Sequence, residues 1–310
     1  MTLRLPLRVG TRGSPLALAQ ARLVRAALLA AEPSLGDAAV EIVVVSTQGD
    51  RIQDRTLAEI GGKGLFTEEI EAGLLQGSLD LAVHSTKDMP TLLPDGLVIG
   101  GVLPRADPRD ALIARGPRSI AELPEGAVVG TASLRRQAQL RAARPDLVVV
   151  PLRGNVQTRL RKLAAGEVQA TMLAMAGLIR LGLAAEASVA LPVEEMLPAV
   201  AQGAICIECR AEDGPVRALL DRINHPPTMT AITAERAFLA ALDGSCRTPI
   251  AALAEIDGDA MRLRGLVASP DGSAVERVDV TGSAGDPAAL GAEAGAGLRV
   301  RLPAHYFSAG

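Results

Sequence analysis

Short apolar runs rich in Val and Ile alternate with amphipathic stretches over most of the chain, and this restricts the fold more than any other feature. Alternation of that kind is the pattern of strand–helix–strand units, in which helices cover the faces of a parallel sheet. Strands are predicted at 5–9, 40–46, 79–85 and 97–103, with helices at 15–31 and 66–76. Ser14-Pro15 supplies an N-cap followed by a first-turn proline for the first helix. Glu68, Glu69 and Glu71 sit in the first turns of the second helix, where the dipole favours acid.

The pattern then repeats. Strands are expected at 111–114, 127–131 and 147–151, and helices at 134–143 and 156–165. Pro104 and Pro108 bracket a crossover between two α/β lobes. A strand at 204–210 and a helix at 228–242 follow. After Cys246 the character changes to three strands, 249–256, 261–269 and 275–281, joined by short polar turns, and a last helix at 287–301. The expected organisation is a first lobe of residues 1–103 plus about 200–221, a second lobe of 109–197, and an α+β module of 226–310. With 310 residues and ~150 per domain, two or three such units are reasonable.

Aromatic residues are 1% of the chain, so the cores must be built from Ala, Leu, Val and Ile. The same scarcity argues against base-stacking platforms for nucleic acid. A formal net charge of -3 gives no global basic field for DNA or an anionic membrane. Three cysteines cannot build a disulfide framework, and an odd number suits a reducing compartment. No signal peptide is read at the start, and no apolar run approaches the ~20 residues of a membrane helix. A cytoplasmic location is the expectation, with no nucleic-acid or membrane partner.

Three loops place arginines where strands end and helices begin: Thr11-Arg12-Gly13-Ser14, Thr131-Ala132-Ser133-Leu134-Arg135-Arg136, and Arg153-Gly154-Asn155 with Arg159 one turn later. Ligands of open α/β sheets bind at the carboxyl ends of strands, and helix N-termini favour anions. Arginine adds a planar fork that grips carboxylates. Together the loops describe a cleft for a ligand with several carboxylates or phosphates. Taken singly, each arginine is as well explained as solvated helix surface. Lys63, in Gly61-Gly62-Lys63-Gly64, is a cation on a flexible loop (59–64) that fits either a lid or a plain turn. It is not a nucleotide loop, because Gly64 follows the lysine where Ser or Thr is required.

Asp88 follows the strand ending at Ser85, beside Lys87, and can protonate a leaving group or stabilise a developing cation. A turn cap before Pro90 is the structural alternative. His84, inside the strand, reads as a buried structural histidine. Cys246 lies in a loop beside Arg247, which can lower its thiol pKa, and is the candidate nucleophile or tether. Cys206 and Cys209 alternate along a strand without a second Cys/His pair of zinc spacing, so they are assigned to core packing and no metal is expected.

The stretches TRGSPLALAQ, GGKGLFTEEIE, DLAVHSTKDMP, GTASLRRQAQL, LRGNVQTRL, AVAQGAICIECR and TAERAFLAALDGSC resemble the porphobilinogen deaminase family over essentially the whole chain. The resemblance implies two doubly wound lobes of periplasmic-binding-protein type plus a small α+β C-terminal domain. It implies a monomer that condenses four porphobilinogen molecules head to tail, with loss of ammonia, to hydroxymethylbilane. A dipyrromethane cofactor would be held through a thioether to Cys246. Asp88 would assist departure of ammonia and stabilise the azafulvenium cation. Arg12, Lys87, Arg135, Arg136, Arg153, Arg159 and Arg180 would bind carboxylates, with Ser14, Thr131 and Ser133 assisting. Two positions depart from the pattern: Glu59 stands where many members carry lysine, and Ser245 where glycine is usual. Two rival classes stay open on the residues alone. A non-catalytic two-lobe anion binder explains the arginines but not Cys246. A cysteine-nucleophile hydrolase lacks a partnered histidine.

Overall fold

The computed structural model describes residues 3–51, 66–242 and 248–303. The described chain divides into two compact units, one of residues 3–51, 66–105 and 204–229, the other of 106–203, 230–242 and 248–303. Among the described residues no helix is long and apolar enough to cross a membrane.

The first unit is built on β1 (Leu7–Arg12), β2 (Val40–Val45), β3 (Leu81–Ser85), β4 (Leu97–Val102) and the late strand β10 (Ile205–Arg210), in the order β2-β1-β3-β10-β4. β1 runs parallel to β2 and β3, and β10 lies antiparallel between β3 and β4. The helix Pro15–Ala31 starts where predicted, with Ser14 Oγ accepting from the Ala17 amide at 3.2 Å. Its buried face, Ala21, Val24 and Leu28, packs on Leu7, Val9, Leu81 and Ile207 of the sheet. Each Val, Leu or Ile among them contributes ~1.5–3 kcal/mol by leaving water.

The second unit repeats the arrangement. β5 (Asp110–Ala114), β6 (Val128–Gly130), β7 (Val148–Val150), β8 (Ala170–Ala174) and β9 (Val189–Ala190) are ordered β7-β6-β8-β5-β9. β6 is parallel to β7 and β8, whereas β5 is antiparallel to β8 and β9. Each sheet is therefore mixed, not purely parallel as the alternation implied. A strand buried on both faces is a continuous apolar run whichever way it points, so hydrophobicity carries no direction. β8, β9 and the helices Met175–Arg180 and Gly214–Asp221 are additions to the sequence-based reading. They are short, and β9 has only two residues.

The same unit carries an antiparallel meander of β11 (Ile250–Asp257), β12 (Ala260–Ala268) and β13 (Val275–Ser283). Leu253, Leu266 and Ala268 of this sheet pack with Ala138 of the helix Leu134–Ala143 and with Leu197. The helices Pro226–Ala241 and Pro287–Arg301 approach closely at Gly291, where an added Cβ would lie 2.1 Å from the Ala234 carbonyl oxygen. Only glycine permits that approach. Glu235, fully buried on the first of these helices, accepts from the Ala254 amide at 2.8 Å and the Ala201 amide at 2.6 Å. It thereby fixes the turn at Ala201, a non-glycine residue with φ of 57°.

Candidate functional site

Among the described residues, most of the candidate site residues follow the carboxyl ends of parallel strands, within each unit separately. In the first unit β1 ends at Arg12. Its Nε donates to both Asp50 carboxylate oxygens at 3.1 Å, and its Nη2 closes a second contact to the same carboxylate. The guanidinium also lies 4.0 Å from the Phe66 ring centroid. Burial alone would raise the Asp50 pKa, but the bonds from Arg12 and Thr47 hold it below the usual carboxylate range. The fork of Arg12 is thus held by an internal acid. Ser14 is engaged as the helix cap.

β3 ends at Ser85, which Gln20 Nε2 reaches at 2.8 Å. A 3-10 turn, Thr86–Asp88, follows, anchored by the Thr86 amide on the Ala204 carbonyl at 3.1 Å. Thr86 and Met89 are buried, so the turn is rooted on both sides while Asp88 is exposed and Lys87 half-buried. The Asp88 carboxylate takes part in no hydrogen bond or ion pair among the described residues. The turn is capped by backbone, through the Met89 amide on Thr86. Asp88 therefore does not serve as the turn cap that the sequence left open. His84, behind this turn, is buried as expected, 3.3 Å from a fully buried Glu208.

In the second unit β6 runs into Thr131, whose amide donates to Val150 at 2.9 Å, and then into Ser133, which caps the helix Leu134–Ala143. Arg135 and Arg136 open that helix, but each is only 5% exposed. Both forks converge on the buried carboxylate of Asp110, a partner that the sequence did not point to. Burial by itself would raise the Asp110 pKa, and the two guanidinium charges more than reverse this, holding it well below the ordinary range.

Arg153 follows β7 and is half-buried. Asn155 caps the helix Val156–Ala164 through the Thr158 amide at 2.9 Å. Arg159, on that helix, donates to the Gly154 carbonyl at 2.8 Å. Burial, with the nearby charges of Arg136 and Arg153, lowers its pKa to about 10. Arg180 closes the helix Met175–Arg180, donates to the Gly203 carbonyl at 2.5 Å, and is lowered to about 10 by burial. Both remain charged at neutral pH. Among the described residues neither is paired with a carboxylate, which distinguishes them from Arg12, Arg135 and Arg136.

Cys246, Ser245, Lys63 and Glu59 lie outside the described residues. Cys206 and Cys209 are fully buried in β10, as core packing requires. Asp50 and Asp110, which hold Arg12 and the Arg135–Arg136 pair, and Gln202, which donates to Asp110, are contacts of the candidate residues that the sequence did not single out.

The profile of the porphobilinogen deaminase dipyromethane cofactor binding domain matches residues 7–218, and that of the family's C-terminal domain matches 229–299. A porphobilinogen deaminase of Paracoccus denitrificans (strain Pd 1222) is 57% identical over 302 residues, covering 97% of this chain and 96% of that protein. Similar solved structures include an ABC-transporter periplasmic substrate-binding protein from Coxiella burnetii, with 16% identity and a TM-score of 0.45 over 74% of this chain and 96% of that one. Another is a nutrient-binding protein from Burkholderia cenocepacia bound to methionine, with 15% identity and a TM-score of 0.43 over 76% of this chain and 96% of that one. Two matched domains that span most of the sequence, and a relative alike over nearly the full length, place this chain in the porphobilinogen deaminase family.

Proposed function

We propose that Asp88 is the catalytic carboxylate, and that Arg159, Arg180, Arg153 and the Arg135–Arg136 pair hold ligand carboxylates. The setting is a transferase that joins four porphobilinogen molecules into hydroxymethylbilane with release of ammonia. The observation that carries the proposal is the contrast between the two units. The first offers one exposed, unpaired carboxylate at a strand end. The second gathers arginines in excess of the acids that face them.

The chemistry follows from that contrast. Porphobilinogen bears two carboxylates and an aminomethyl group protonated at neutral pH. Arginines fit the carboxylates in bidentate fashion. The Asp88 carboxylate fits the ammonium and then faces the carbocation left when the C–N bond breaks and ammonia departs. Positive charge persists through that step, so a fixed carboxylate favours it throughout. Lys87 beside Asp88 would meet a substrate carboxylate. Ser14, Thr131 and Ser133 would assist with hydroxyls, and Arg12 would serve a ligand in competition with Asp50. Lys63 is proposed as the cation of a lid.

The dipyrromethane cofactor matches this donor set, because a polycarboxylate suits an arginine surplus and the unpartnered, buried Arg135 Nε. When bound, it supplies the pyrrole terminus that receives the first substrate unit. Cys246 would hold it through a thioether, with Arg135, Arg136, Arg159 and Arg180 around its carboxylates. A cytoplasmic monomer is part of the proposal; the compartment is supported by a cysteine count that suits a reducing environment.

Intact-protein mass spectrometry tests the tether. A covalent dipyrromethane adduct is expected on the active protein and should vanish in Cys246→Ser; the bare-chain mass in active protein would refute it. Asp88→Asn should keep the adduct and the fold but lose turnover by about 10²–10⁴-fold. Near-normal turnover would remove Asp88 from the role.

A further inference from the structure

Asp110 opens β5 and is 0% exposed. Its Oδ1 accepts from Arg136 Nε at 3.2 Å, Arg136 Nη2 at 2.6 Å and Gln202 Nε2 at 2.9 Å. Its Oδ2 lies 2.7 Å from Arg135 Nη2 but outside hydrogen-bonding angles, so that contact is mainly Coulombic. Arg135 Nη1 is taken up by the Leu197 carbonyl at 2.6 Å, and Arg136 Nη1 by the Met172 carbonyl at 2.9 Å. Arg135 Nε is buried and has no partner.

The cluster therefore sets two guanidinium charges against one carboxylate, away from water. A buried, uncompensated charge is costly and strongly favours arrival of an anion. No second acid of the same segment meets it: Asp107 is committed to Arg109, with contacts of 3.0 and 2.6 Å. Gln202, fully buried, fixes Asp110 further while donating to the Pro108 carbonyl at 2.8 Å.

We infer that Asp110 is a positioning residue that permanently cancels one of the two buried guanidinium charges, so that the Arg135–Arg136 pair accepts one ligand carboxylate rather than two. The inference rests on the assignment of these arginines to ligand carboxylates. Its consequence concerns a growing chain that gains two carboxylates with each unit added. With Asp110 in place the pair carries a single surplus charge and can release a carboxylate when the chain must move. Without it the pair carries two, and partly built chains are held.

The test uses the cofactor-loaded protein as wild type, Asp110→Asn, Arg135→Gln and the double variant. The readouts are KM and kcat for porphobilinogen, thermal unfolding, and the intact-mass ladder of covalent adducts under limiting porphobilinogen. Asp110→Asn should lower KM and kcat together, each on the order of tenfold (a tenfold change being one unit of ~1.4 kcal/mol), and shift the ladder toward retained adducts. The double variant returns the pair to a single surplus charge and should abolish the extra adduct retention of Asp110→Asn, while its KM rises because the Arg135 contact to carboxylate is lost. An unchanged or raised KM in Asp110→Asn overturns the inference. So does extra adduct retention that persists in the double variant, which marks a purely structural role. If Asp110→Asn does not fold, the double variant decides: a folded protein with no adduct retention beyond that of Arg135→Gln supports the inference, and failure to fold overturns it. Arg135→Gln alone separates the two layers. If it changes neither KM nor the ladder, the assignment of Arg135 to carboxylates falls; if it raises KM while Asp110→Asn does not lower it, only the role of Asp110 falls.

Discussion

Replacing Gly203 by alanine should destabilise the second unit and weaken the placement of Arg180. Gly203 has φ of 92°, a region that L-residues enter at a cost of about 1–2 kcal/mol. A Cβ built there lies 2.5 Å from the Ala106 carbonyl oxygen and 3.3 Å from its carbon. Those are backbone atoms that cannot swing aside, and overpacking of this kind costs about 1–3 kcal/mol. The sum is about 2–5 kcal/mol. At ~2 °C per kcal/mol for a chain of this size, the unfolding midpoint should fall by about 4–10 °C. The Gly203 carbonyl accepts from Ala106 N at 3.1 Å and from Arg180 Nη2 at 2.5 Å, so relief of the clash moves an acceptor of that arginine. KM for porphobilinogen should rise along with the loss of stability. The assay is thermal unfolding followed by circular dichroism, with steady-state kinetics below the transition. Gly214→Ala is the control, because nothing lies within 4 Å of its would-be Cβ. That change should stay within about 0.5 kcal/mol. A Gly203→Ala protein as stable as the control would refute the reasoning.

Glu235→Ala strips two buried amides, those of Ala201 and Ala254, of their acceptor. At about 1–3 kcal/mol each, denaturant unfolding should show a loss of about 2–6 kcal/mol, and a loss under 1 would contradict it. Glu71 is buried and its pKa is raised, by burial first and by the Glu208 and Glu68 charges, against the Thr67 hydrogen bond and the His84 charge. A raised folded pKa means stability is fully present below the unfolded value and is lost as pH rises through the folded one. Glu71→Gln, which mimics the protonated form, should therefore gain on wild type above that folded value and lose the advantage in acid; an unfolding series across pH 4–8 with a constant difference would reject this. Cys206 and Cys209 are fully buried, and burial pushes the Cys209 thiol up to about 11. Both should resist iodoacetamide in the native protein at pH 8 and react in denaturant, and native labelling of either, read by peptide mass spectrometry, would refute the packing assignment.

What could be read from the residues in order was whatever depends on near neighbours. Ser14 caps its helix as read, because its side chain reaches an amide three residues on; the structure adds Ser133 and Asn155 as caps of the same spacing. The apolar runs of β1, β2, β3 and β4, and the meander after residue 248, followed from the same local logic. Asp88 and the arginine loops stood out because strand ends and helix starts could be placed. Direction and partnership could not be read in that way. β10 inserts between β3 and β4 from the far side of the second unit's sequence, and β5 inserts between β8 and β9. The pairing of Arg136 with Asp110, 26 residues away, and of Gln202 with Asp110, 92 away, makes a buried cluster that the sequence did not point to. The reason is physical: capping and periodicity act within one or two turns of chain, whereas a buried charge selects its partner by distance in space. The sequence alone thus determined that this chain carries arginines at the starts of helices and one carboxylate at a strand end. Only the tertiary structure decided which arginines an internal acid already holds.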